Sequence, residues 1–109
     1  MMEAKNLKNL VVKHFDFLEE LYGFKYNAIS HCYLKSDLEI EVRHISGELN
    51  VFFVSKSKTK SLSEVLSGLL NKEFTYPEYF SSLVLSMGDV DSRLAYDAKL
   101  MKKYATDIL

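Results

Sequence analysis

Apolar residues along this chain follow one spacing up to Gly23 and another after it. Leu7, Leu10, Val11, Phe15, Leu18, Leu21 and Tyr22 recur at steps of three and four, which predicts an amphipathic helix over residues 5–23. The helix starts between Glu3 and Asn6, with Asn6 a candidate cap. Gly23 supplies the left-handed residue that closes a helix at low steric cost, and Phe24 then folds back onto the last turn. From Tyr26 to Val54 the period drops to two. Strands are expected over residues 26–35, 38–45 and 48–55, joined by turns at Ser36-Asp37 and Ser46-Gly47. A helix with one apolar face must fold that face onto the meander that follows it. The expected class is α+β in a single domain, 1–109: an N-terminal amphipathic helix packed on a three-stranded antiparallel β-meander, then about three C-terminal helices.

The second hairpin has a definite register. A two-residue loop at Ser46-Gly47 pairs Val42 with Val51, Ile40 with Phe53 and His44 with Leu49, so apolar residues meet on one face. The other face then carries Glu39 beside Val54, Glu41 beside Phe52 and Arg43 beside Asn50. The first hairpin is open between two registers. A three-residue loop turns Ala28, Ser30, Cys32 and Leu34 inward; a two- or four-residue loop turns Ile29, His31 and Tyr33 inward. The second buries more apolar area and is preferred.

Residues 55–61 read as a Lys/Ser/Thr linker. Ser61-Leu62-Ser63-Glu64 is a capping box, serine and glutamate each satisfying a backbone donor of the first turn. The helix it opens carries Leu62, Val65, Leu66, Leu69, Leu70 and Phe74 on one stripe. Thr75-Tyr76-Pro77 breaks it, and Pro77 suits the first turn of a third helix running to Met87. Gly88 ends that helix and Asp89 or Asp91 caps a fourth, which runs to Asp107 with Val90, Leu94, Ala98, Met101, Tyr104, Ala105 and Ile108 on its stripe.

A net charge of −1 provides no field to gather nucleic acid or an anionic membrane, and only Arg43 and Arg93 carry the planar fork suited to bases and phosphates. Neither class of partner is expected. The single cysteine, Cys32, excludes an internal disulfide and fits a reducing compartment; no signal-like or membrane-spanning stretch is present, so a cytoplasmic protein is the default.

The chemistry-bearing residues are sparse. Gly23, Gly47 and Gly88 are assigned to element ends and a turn, and Gly68 to close packing inside a helix, which leaves none for a phosphate cradle. His14, His31, Cys32 and His44 lack the spacing of a zinc site, and no cofactor motif is found. A carboxylate beside Cys32 would raise its pKa, the opposite of activation. Glu39 and Glu41 sit about 7 Å apart on one strand face, a distance open to acid/base work, but with no sign of a pocket to shift their pKa the solvated-face reading is preferred. Lys56, Lys58 and Lys60 read as a solvated loop guarding the sheet edge. Phe74, Tyr76, Tyr79 and Phe80 form either a stacking platform or part of the core.

One feature resists the plain structural account. Phe52 and Val54 point away from Val51 and Phe53, so both faces of the third strand are apolar. Either the C-terminal helices wrap round to cover the second face, or Phe52, Val54 and Ile45 stay open, rimmed by Glu39, Glu41 and Arg43. Open apolar patches with polar rims mark protein-binding sites.

The string from Phe15 to Phe24, FDFLEELYGF, followed by the Tyr33-Leu34-Lys35-Ser36-Asp37 turn and the strand from Leu38 to Val42, resembles small bacterial proteins that open with such a helix end and a β-meander. Some of these are suspected immunity proteins for polymorphic toxins. The resemblance covers residues 10–54 and implies a cytoplasmic, non-enzymatic binder that neutralises a protein partner, a toxin, by covering it. Two other readings stand beside it: a homodimeric structural or regulatory protein using the same patch, and a small enzyme or ligand binder with a pocket between the sheet and the C-terminal helices.

Overall fold

The computed structural model describes residues 4–27, 29–30, 32–45, 48–56, 58–76 and 87–109, with side chains from Leu7 to Val42 and beyond except at 44–45, 48 and 87–89. Among these residues five antiparallel strands form one sheet in sequence order: β1 (Lys25–Asn27), β2 (Cys32–Lys35), β3 (Leu38–Ile45), β4 (Glu48–Ser55) and β5 (Lys58–Ser61). Among the described residues four helices accompany it, α1 (Ala4–Phe15), α2 (Phe17–Tyr22), α3 (Leu62–Leu70) and α4 (Met87–Tyr104), with a 3-10 turn at Thr106–Ile108. The α+β class holds, but the strand count is five rather than three.

Both added strands have local causes. The strand expected over residues 26–35 is interrupted because the Asn27 side chain accepts from the backbone N–H of Ile29 (2.9 Å) and Ser30 (3.4 Å), folding the chain into a turn. Ile29 consequently stands 93% exposed at that turn instead of facing the core. The stretch expected to be a linker supplies β5, which pairs Lys60 with Phe53 and Ser61 with Phe52. Pairing satisfies the outer backbone groups of β4, a strand too apolar to serve well as an edge.

The register of β3 on β4 is the one the alternation predicts, Val42 opposite Val51 and Ile40 opposite Phe53. The β2–β3 turn is the two-residue loop Ser36-Asp37, which sets Tyr33 opposite Ile40 and buries it completely. His31 and the Ser46-Gly47 turn lie outside the described residues.

The predicted first helix is divided at Asp16, a turn residue with helical dihedrals that still closes backbone bonds on both sides. Leu7, Val11, Phe15 and Leu18 are buried as expected, and Phe17 joins them. Leu21 is 69% exposed: six residues beyond Phe15, it sits about 120° off the stripe. Gly23 takes φ 78°, and its N–H and that of Phe24 both reach the carbonyl of Leu18, a left-handed cap. The capping box at Ser61 and Glu64 is complete. α3 buries Leu62 and Leu66 but leaves Leu69 43% exposed, and it ends at Asn71 in the left-handed region, before Phe74.

The third predicted helix falls on residues 77–86, outside those described. Gly88 does not terminate a helix, since α4 already runs from Met87; Asp89 and Asp91 therefore lie within it rather than capping it. Val90, Leu94, Ala98, Met101 and Ala105 are buried together with Leu100. These helices and the inward residues Tyr33, Ile40, Val42, Leu49, Val51 and Phe53 make one core on one face of the sheet. No described helix is long and apolar enough to cross a membrane.

Candidate functional site: the second face of the sheet

Strand alternation and the observed registers place the remaining side chains in rows on the opposite face. One row runs Asn27, Cys32, Glu41, Phe52, Ser61; the next runs Lys25, Leu34, Glu39, Val54, Thr59. Arg43 lies beside Asn50. Phe52 and Val54 are half-buried and stand outside the core cluster, and Leu34 is 37% exposed. Among the described residues, no helix belongs to this face.

Two local networks order it. Arg43 donates from Nε and Nη2 to Glu41 (3.0 and 3.3 Å), and its guanidinium carbon stands 4.6 Å from the centre of the Phe52 ring. The same cation thus neutralises Glu41 and covers part of the aromatic face. Alongside, Ser30 Oγ lies 2.9 Å from Cys32 Sγ, and the thiol donates to Glu39 Oε1 at 3.6 Å. Burial pushes the Cys32 thiol above its ordinary value, and Glu39 and Glu41 add to that while Ser30 opposes it. A thiol so held stays protonated and is a poor nucleophile. Glu39 is left as the rim's unneutralised carboxylate among the residues of these two networks.

Of the residues expected at the patch, Glu39, Glu41, Arg43, Phe52 and Val54 share this face. Ile45 pairs with Glu48 at the end of the ladder, and its side chain lies outside those described. The preferred register of the first hairpin, with Tyr33 inward, also turns Cys32 and Leu34 to this face, and the two-residue Ser36-Asp37 loop sets them opposite Glu41 and Glu39. Neither a protein-family model, a curated protein nor a solved structure matches this chain.

A second polar feature joins elements far apart in sequence. Lys13 and His14 of α1 face Ala95, Ala98, Lys99, Lys102 and Lys103 of α4 across an open groove of about 440 Å3. Two of these residues hold Asp91, which accepts from His14 Nε2 (2.5 Å) and Lys13 Nζ (3.2 Å); both keep its carboxyl below the usual range, His14 contributing most. Lys102 also stands over the Phe17 ring and Lys103 over that of Tyr104. No group of three or more His, Cys, Asp and Glu side chains able to hold a metal occurs among the described residues.

Proposed function

We propose that this chain is a non-enzymatic protein-binding domain that docks a partner on the second face of its sheet, with neutralisation of a toxin by occlusion as the sharpest version. The observation that carries the reading is the half-exposed pair Phe52 and Val54, backed by a sheet but not covered by any described helix. A rigid sheet presents such side chains with little ordering cost on binding. Phe52 supplies the aromatic anchor, Val54 and Leu34 extend the apolar contact, and Glu39 steers a basic partner surface. Glu41 contributes less to steering than its charge suggests, because Arg43 already neutralises it.

The test is capture of partners from the source cell's lysate by wild type and by Phe52→Asp and Val54→Asp variants, each checked for native circular dichroism. Folded variants should lose the partner that wild type retains. If both fold and capture the same proteins, the second face is not the binding surface.

The apolar strip of Phe52 and Val54 also supports one further reading, a homodimer, in which a two-fold contact buries the strip against its own copy. Light scattering separates the two: a monomer at tens of micromolar concentration supports a foreign partner, and a dimer dispersed by Phe52→Asp supports self-association.

A further inference from the structure

The core side of the sheet carries an opening of its own, independent of the docking face. Between the β4–β5 edge, α3 and the C-terminal 3-10 turn lies a groove of about 380 Å3, within the range of small-molecule sites. Leu38, Phe53, Val65, Leu69 and Ile108 give it apolar walls. Leu69 and Ile108 are 43% and 40% exposed, two large aliphatic side chains from distant segments turned towards one opening.

Gly68 lines the same groove, and its presence in mid-helix needs a reason. A glycine there costs about 1 kcal/mol against alanine. The expected reason, close approach by a neighbour, fails: beyond its own helix backbone and its two neighbours in sequence, no described atom lies within 4 Å of where its Cβ would stand. The missing side chain keeps the groove open instead.

The polar groups are separated from this apolar wall. Glu64 is turned back to the helix cap, its Oε1 accepting from the backbone N–H (3.1 Å) and hydroxyl (3.2 Å) of Ser61. Lys58 and Lys60, both exposed on β5, form no ion pair with an acidic side chain among the described residues. Apolar contact comes from α3 and the 3-10 turn, and positive charge from β5.

From this arrangement we infer that the groove binds an amphiphile with one anionic head and an unbranched apolar chain, of the medium-chain carboxylate class. The chain lies over Gly68 between Leu69, Val65 and Ile108, and the head meets Lys58 and Lys60. A cationic amphiphile of equal chain length satisfies the walls but opposes the rim.

The experiment is a titration of the intact protein with dodecanoate below its micelle concentration, followed by heteronuclear amide NMR. Saturable shifts clustered at Lys58, Lys60, Val65, Gly68, Leu69 and Ile108 are expected. Dodecyltrimethylammonium should bind about tenfold more weakly or worse, as should dodecanoate with the Lys58→Gln/Lys60→Gln double variant. Gly68→Leu should fill the groove and abolish binding; if that helix substitution unfolds the protein, the lysine pair, on the exposed edge strand, still decides. Scattered or non-saturating shifts, equal binding of the cationic amphiphile, or unchanged affinity in the folded lysine variant would each overturn the inference.

Discussion

Arg93 and Asp97, one helical turn apart on α4, hold an ion pair almost wholly out of water, with the guanidinium Nε 3.2 Å from Oδ2. Tyr76 completes the cluster. Its hydroxyl donates to Asp97 Oδ1 at 2.7 Å, and its ring lies 3.8 Å beneath the Arg93 guanidinium. Burying two charges gains little net stability, but removing one leaves the other stranded. Arg93→Met should therefore destabilise the fold by about 3 kcal/mol, read as a lower urea midpoint at an unchanged slope. A loss no larger than that of an ordinary surface substitution would show that the pair is not buried.

The same cluster should tie stability to pH. Burial pushes the Asp97 carboxyl up to about 6, against the pull of Arg93 and the Tyr76 hydroxyl. The folded chain then holds this proton where the unfolded chain, with its ordinary value of 3.8, has released it. Stability contributed at this site is greatest below about pH 4 and falls as pH rises through about 6, by on the order of 3 kcal/mol at most. Asp97→Asn has no such titration. Denaturation of both proteins from pH 5 to pH 8 should show the wild type losing ground to the variant as pH rises. Parallel curves would place the carboxyl at its ordinary value.

Gly68 offers a cleaner measurement. Nothing within 4 Å obstructs an added Cβ, and the backbone there is not left-handed. Gly68→Ala should raise stability by about 0.5–1 kcal/mol through helix propensity and reduced freedom of the unfolded chain. Thermal melts suffice to test it, and a destabilised variant would mean that a neighbour packs closely against α3 at this position.

Much of this architecture was legible in the chain because period and side-chain burial coincide. Leu7, Val11, Phe15 and Leu18 fix one helix face, and the β3–β4 register follows from matching Val42 to Val51 and Ile40 to Phe53. What escaped depends on competition between local groups. The Asn27 side chain cuts a nominal strand in two by bonding its own turn, which hydrophobic pattern does not record. The Lys58–Ser61 strand exists because β4 needs a neighbour, not because its own residues are apolar. Apolar side chains on both faces of β4 were visible from alternation alone. That Arg43 covers Phe52 while neutralising Glu41 was not, since a rotamer choice decides it.

Cys32 connects that face to a measurable property. Its thiol is buried beside Glu39, and both burial and that carboxylate keep it protonated above the range of an exposed cysteine. Alkylation proceeds through the thiolate, so iodoacetamide should react with native protein far more slowly at pH 8 than with protein unfolded in urea. The rate in native protein should rise with pH later than that of a free thiol. Glu39→Gln removes one source of the upward shift and leaves burial in place. Its rate profile should therefore move part of the way back, not the whole way. A variant that reacts like the unfolded chain would make the carboxylate, not burial, the controlling influence. A native rate equal to that of free cysteine would place the thiol at the open surface and dismantle the Ser30–Cys32–Glu39 network on which the ordered edge of this face depends.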